Sequence, residues 1–296
     1  MTLSFSAILL PGSEMRDRIR TTGRLNQQPM HTEALYELHS SGRPAVGRRK
    51  IRSPRIPVAR FFTLLLLGGV LFTLQSCRKI IGKGPVVTET RSTGSFTEVW
   101  FEVGGDLRFV PSDDYEVVIE AQRNVIDVIE TNISGGELKV KVRNGVNLRS
   151  REDIRVTVRA PFVSAFTING SGDLDVPAIV SASGPASIRV NGSGSVRINE
   201  VDAEDINLRI NGSGKIRALS GSVDHAEVSI SGSGDVDLSA IQARTAATET
   251  SGSGTIRLQV SDELNVKISG SGSVYYKGHP SVNTNISGSG TVVRLD

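Results

Sequence analysis

Residues 206–217 read Ile-Asn-Leu-Arg-Ile-Asn-Gly-Ser-Gly-Lys-Ile-Arg, and residues 226–237 read Ala-Glu-Val-Ser-Ile-Ser-Gly-Ser-Gly-Asp-Val-Asp. In each stretch apolar and polar residues alternate, the alternation breaks at a Gly-Ser-Gly corner, and it resumes beyond. Period-2 alternation bounded by glycine is the signature of two strands joined by a tight turn. The tetrapeptide Asn/Ser-Gly-Ser-Gly starts at Asn169, Asn191, Asn211, Ser231, Ser251, Ser269 and Ser287, with spacings of 22, 20, 20, 20, 18 and 18 residues.

One such unit cannot bury its own apolar side, whereas stacked units can. In-register stacking puts Val, Ile and Leu inside one continuous core and like residues in columns. The expected fold is all-β, a parallel β-helix built from coils of about 18–22 residues. Seven coils about 4.8 Å apart would make a rod segment of roughly 30 Å. The rival is an antiparallel meander in which the same turns close hairpins; constant spacing and like-on-like columns favour the coils. The glycines of each copy are read as structural turn residues: Gly170 and Gly172, Gly192 and Gly194, Gly212 and Gly214, Gly232 and Gly234, Gly252 and Gly254, Gly270 and Gly272, Gly288 and Gly290. They supply positive φ or close backbone approach without a Cβ. The Asn/Ser column is expected to stack, with hydrogen bonds along the rod.

Residues 95–168 lack the motif but keep the alternation, at Val99/Phe101/Val103, Val117/Ile119/Ala121, Leu138/Val140/Val142 and Ile154/Val156/Val158. They are expected to form the first, less regular coils, with larger side chains capping the core and one helical turn within 124–130. No Pro-rich or charged linker interrupts 95–296, which is read as one domain.

Upstream, a basic block (Arg48, Arg49, Lys50, Arg52, Arg55, Arg60) precedes 14 uncharged residues, Phe61 to Leu74, and the run closes as Leu74-Gln75-Ser76-Cys77. These are the parts of a secretory signal; spanning a bilayer would need about 20 apolar residues. The end of the run resembles the bacterial lipoprotein signal, cleaved just before a lipid-modified cysteine, here Cys77. The organisation expected is 1–47 as a non-structural extension or mis-assigned start (Met30 being a candidate start), 48–76 as lipoprotein signal peptide, 77–94 as tether and 95–296 as β-helix. The formal charge of +3 then divides. Residues 1–60 hold 11 Lys/Arg and 4 Asp/Glu, net +7, and the remainder holds 23 and 27, net −4. The basic character belongs to the leader, so nucleic acid is not an expected partner. A single cysteine excludes an intrachain disulfide framework.

Strands leading into repeated Asn/Ser-Gly-Ser-Gly turns behind a lipoprotein signal resemble the head GIN domain family, described as “putative auto-transporter adhesins”, over about residues 95–296. The resemblance implies a right-handed parallel β-helix in the bacterial envelope. It carries over no functional residues.

The chemistry-bearing patterns are weak. Gly170-Ser171-Gly172 lacks the third glycine of a dinucleotide loop and precedes a strand. The residues after the second glycine include only two acids, Asp173 and Asp235, beside Lys215, which cannot form a calcium ladder. His225 and His279 have no cysteine or matching histidine at ligand spacing. The pairs Asp173/Asp175 and Asp235/Asp237 point outward and would stand about 14 Å apart along the rod, and Asp235/Asp237 read as rungs of a cross-coil charge ladder with Lys215, Arg217 and Arg257. Tyr275 is expected to face out as a candidate ligand platform, with Tyr276 partly in the core. No catalytic residue, metal or cofactor is expected.

The expected protein is a non-enzymatic, lipid-anchored envelope protein, held to the outer membrane through Cys77, with an adhesin-like module for glycan or envelope protein. The side of the membrane is open; the absence of an acidic cluster after Cys77 leans to the periplasmic face. The alternatives are a polysaccharide-active β-helix enzyme and a purely structural spacer. The C-terminal coil is a candidate surface for self-association, blunted by Arg294 and Asp296.

Overall fold

The computed structural model describes residues 78–150, 152–181 and 184–296. The extension, the signal peptide and Cys77 lie outside the described residues.

The regular part begins at β10 (Ala165–Gly170), β11 (Asp173–Ser181) and β12 (Ala186–Gly192), and continues through β13 (Ser195–Gly212), β14 (Lys215–Ala218), β15 (Gly221–Gly232) and β16 (Asp235–Gly252). It ends with β17 (Thr255–Gly270), β18 (Ser273–Lys277), β19 (Ser281–Gly288) and β20 (Thr291–Arg294). Strand β13 shows how one coil is made. Its residues 195–198 pair in parallel with β14, and 201–203 and 205–212 pair in parallel with β15. The run 205–212 lies on the first face, 195–198 on the second and 201–203 on the third. The parallel registers rule out the meander and establish a β-solenoid.

Alternation fixes which side chains point inward. On the first face Ile168, Val190, Ile210, Ile230, Thr250 and Ile268 form one buried column; on the second, Leu174, Val196, Ile216, Val236, Ile256 and Val274 form another. The shift from 20- to 18-residue spacing is absorbed on the third face. There the register between β16 and β17 breaks between Leu238 and Gln242 and again between Ala243 and Thr245. The first and second faces keep their columns intact across this shortening.

Residues before 165 depart from the expected succession of coils. They comprise β3 (Glu98–Glu102), β4 (Asp106–Pro111), β5 (Glu116–Gln122), α1 (Arg123–Ile126), β6 (Ile129–Ser134), β7 (Glu137–Val142), β8 (Val146–Arg149) and β9 (Arg155–Ala160). On the first face β3 pairs with both β7 and β10, and on the second β4 pairs with both β9 and β11. The β3/β4 layer, though earlier in sequence, is sandwiched between the β7/β9 layer and the regular coils. Three strands here are antiparallel: β6 on β7, β5 on β9, and β2 (Val86–Ser92) on β5. The helical turn within 124–130 is α1, and it buries Val125 and Ile126. Antiparallel strands and a helix cover what would otherwise be an open sheet end.

The tether expected at 77–94 is also corrected over its described residues. β1 (Arg78–Ile81) pairs in parallel with β8, and β2 completes the antiparallel cap. The Arg91 guanidinium fastens β2 by donating to the Ile129 and Ile126 carbonyls at 2.8 and 3.4 Å and to Glu89 at 2.8 Å. Composition alone made this stretch look like a linker; the pairing partners that make it structure lie 24 to 68 residues away in sequence.

Candidate functional site

The corners come first, because they set the columns. The first glycines stack in register from Gly170 through Gly192, Gly212, Gly232, Gly252 and Gly270 to Gly288, and all have positive φ. The two glycines of a corner do different work. At Gly212 φ is +133° and an added Cβ would stand 2.3 Å from the Gly192 carbonyl oxygen. At Gly214 no positive φ is needed; a Cβ there would meet Val190 Cγ1 at 2.6 Å and the Gly194 oxygen at 2.7 Å. The same second-position role falls to Gly172, Gly194, Gly234, Gly254, Gly272 and Gly290, each crowded by the coil beneath. The asparagine column bonds as expected: Asn211 donates to Asn191 and Asn191 to Asn169, both at 2.8 Å.

The outward columns of the first face hold a hollow of about 820 Å³. Two positions per coil build it. Four residues before each tetrapeptide stand Asn207, Glu227, Ala247, Asn265 and Asn283; two residues before stand Arg189, Arg209, Ser229, Glu249, Lys267 and Asn285. Ser229 and Ala247 are small, so the floor dips where Arg209, Glu227, Glu249 and Lys267 rise around it. Glu227 accepts from Asn207 Nδ2 at 2.7 Å and from Arg209 at 3.4 Å; Glu249 accepts from Lys267 Nζ at 2.6 Å. Asn283 donates to Asn265 at 3.1 Å. Arg189 lines the rim without an ion pair among the described residues. The hollow thus offers planar amide, guanidinium and carboxylate groups, already oriented by one another, on a rigid sheet.

These residues were not singled out by sequence, although the signal was there: counting back from each tetrapeptide gives both columns. Alternation says that such residues face out, but only the coil-on-coil register says which of them meet.

A second hollow, about 690 Å³, lies on the second face and gathers Asp106, Arg108, Asp173, Asp175, Arg197 and Arg217. Asp173 Oδ1 accepts from the Ser195 backbone N–H at 2.8 Å. The expected charge ladder forms at one rung, Arg217 to Asp237 at 3.5 Å. Arg257 leaves the ladder and lies over the Tyr275 ring, 5.4 Å from its centroid, which covers the platform expected there. Tyr276 packs against the core opposite Leu258. His225 bonds Thr245 at 2.9 Å and His279 contacts Arg294. Among the described residues no group of three or more His, Cys, Asp or Glu is placed to hold a metal ion.

Comparison with known proteins agrees with this architecture. A crystal structure from Bacteroides fragilis, described as a “putative adhesin”, superposes with a TM-score of 0.65 at 18% identity, covering 73% of this chain and 100% of its own. One from Parabacteroides merdae, also a “putative adhesin”, gives 0.58 at 19% identity, covering 74% and 100%. One from Parabacteroides distasonis, described as a “putative lipid binding protein”, gives 0.60 at 24% identity, again covering 74% and 100%. These solved chains are matched along their whole length. No curated protein matches the chain. The family model described as “Putative auto-transporter adhesin, head GIN domain” matches residues 95–280, and the chain belongs to that family.

Proposed function

We propose that this is a lipid-anchored protein of the cell envelope whose solenoid is a non-catalytic binding module, an adhesin for hydroxyl-rich glycan. The anchor is a lipid on Cys77 after removal of a signal peptide at 48–76, and the membrane is the outer membrane.

The observation that carries the reading is the first-face hollow. Sugars present adjacent hydroxyl pairs, and planar carboxylate, amide and guanidinium groups bond such pairs two at a time. Glu227, Glu249, Asn265, Asn283 and Arg209 supply those groups on one rigid surface. A protein partner would draw most of its energy from buried aromatic anchors, and among the described residues no aromatic side chain lines this hollow, whose rim is polar and charged. The carboxylates already accept hydrogen bonds from Arg209, Asn207 and Lys267, which suits fixed acceptors better than a proton donor. Family membership supports the adhesin reading.

The test is a glycan array probed with residues 78–296, followed by the Glu227→Ala and Glu249→Ala variants on any hit. Binding that both variants weaken supports the reading. A hit that neither variant affects, or turnover of the bound glycan, sinks it. Protease added to intact cells tests the side of the membrane: an adhesin at the surface is digested, and resistance rules that placement out.

A further inference from the structure

The end of the solenoid nearest Cys77 carries a second surface. β1 begins at Arg78, the residue directly after that cysteine, and pairs with β8 so that Lys79 lies beside Asn147 and Ile81 beside Arg149. Ile80 and Leu148 point the other way, and Leu148 packs on the core. The outward side of this two-stranded ribbon is therefore Lys79, Ile81, Asn147 and Arg149, with Arg78 and Lys83 at its margins.

Arg78, Lys79, Lys83 and Arg149 are exposed, and none has an acidic partner among the described residues. The neighbouring cations behave differently: Arg91 and Arg123 are paired with Glu89, and Arg143 with Glu130. Of the nearby acids, Asp153 faces Arg155 at 3.8 Å, which leaves Glu152 and Asp106 as opposing charges beside Arg149, against four cations. Flanking Lys83 are two exposed aliphatic side chains, Ile81 (41% exposed) and Val86 (48%). Free cations interleaved with exposed aliphatic groups are the composition of a membrane-interface surface.

We propose that the β1/β8 ribbon docks on an anionic lipid surface. The lysines and arginines lie at the phosphate level, and Ile81 and Val86 enter the interface. The geometry rests on the Cys77 lipid reading: with no residue between the lipidated cysteine and β1, the ribbon is held against the headgroups. The solenoid then stands on its cap, and the first-face hollow is carried at a set angle to the membrane instead of swinging on a tether. The acyl chains on Cys77 would hold the molecule at the membrane, and the basic patch adds an electrostatic contact that orients it there.

The experiment uses residues 78–296, without lipid, sedimented with phosphatidylcholine vesicles containing 30% phosphatidylglycerol and with pure phosphatidylcholine vesicles. Binding to the anionic vesicles alone is expected, falling with added salt. Each of Arg78, Lys79, Lys83 and Arg149 replaced by Ala should raise the half-saturating lipid concentration about fivefold, and all four together several hundredfold. Lys83→Ala, in an exposed loop, serves as the variant least able to disturb folding. Equal binding to both vesicle types, no binding of the unsubstituted protein, or a quadruple variant that binds normally overturns the proposal. Labelling of Cys77 with palmitate in cells is a separate readout, so a missing lipid anchor and a non-binding ribbon give distinguishable results.

Discussion

The carbonyl oxygen of Gly192 accepts a 2.9 Å hydrogen bond from the Ser213 N–H and stands 2.3 Å from where a Cβ on Gly212 would lie. The coil-to-coil bond and the exclusion of any side chain are one feature. Gly170, at the start of the column, shares the positive φ, +102°, but has nothing within 4 Å of its Cβ position. Gly212→Ala should therefore cost the φ strain and the clash, about 3 kcal/mol or more, and Gly170→Ala only the strain, about 1–2 kcal/mol. Urea denaturation of the two variants checks the difference; equal losses would show that the clash relaxes away.

Thr250 interrupts a column of Ile and Val side chains. It is fully buried, and its hydroxyl has no hydrogen-bond partner among the described residues. An unsatisfied buried hydroxyl costs about 1–3 kcal/mol. Thr250→Val keeps the shape and removes the hydroxyl, so stability should rise by about 1 kcal/mol. A fall in denaturation midpoint would mean the hydroxyl is satisfied in solution.

Glu89 ties the cap together. The hydrogen bond from Arg91 holds its carboxyl below the ordinary 4.5, with Arg123 adding to the effect against a partial desolvation. A carboxyl lowered in the folded state binds protons more readily when unfolded. Its stabilisation is present above pH 4.5 and is lost as pH falls through the lower folded value. Thermal melts from pH 7 to pH 3 should show Glu89→Gln less stable at neutral pH and converging with the parent in acid. Parallel curves would remove this residue from the acid sensitivity.

In the first-face hollow, Glu227→Ala and Glu249→Ala should each weaken glycan binding about tenfold or more, the scale of a lost hydrogen bond to a charged group. Their exposed ion pairs with Arg209 and Lys267 contribute about 0–1 kcal/mol to stability. Melting temperature should stay nearly unchanged while titration calorimetry reads the loss. A loss of both together would indicate a structural role.

The sequence by itself determined the repeat, the strand alternation and the inward-facing residues. Those depend on period-2 alternation and on glycine at each corner, both read from a short stretch of chain; the register that ruled out the meander and the carbonyl that excludes a Cβ at Gly212 belong to the stack. The corner from Asn211 to Gly214 is legible from its own residues. The tertiary structure alone decided what depends on partners distant in the chain. It placed β3 and β4 between β7/β9 and the regular coils, turned β2, β5 and β6 antiparallel as a cap, and made Arg78–Ile81 a strand of the domain. It also decided which outward residues meet: Arg209 with Glu227, and Glu249 with Lys267, lie 18 residues apart. Alternation tells a side chain to face solvent. The register between coils, set by backbone hydrogen bonds across the whole stack, chooses its neighbour.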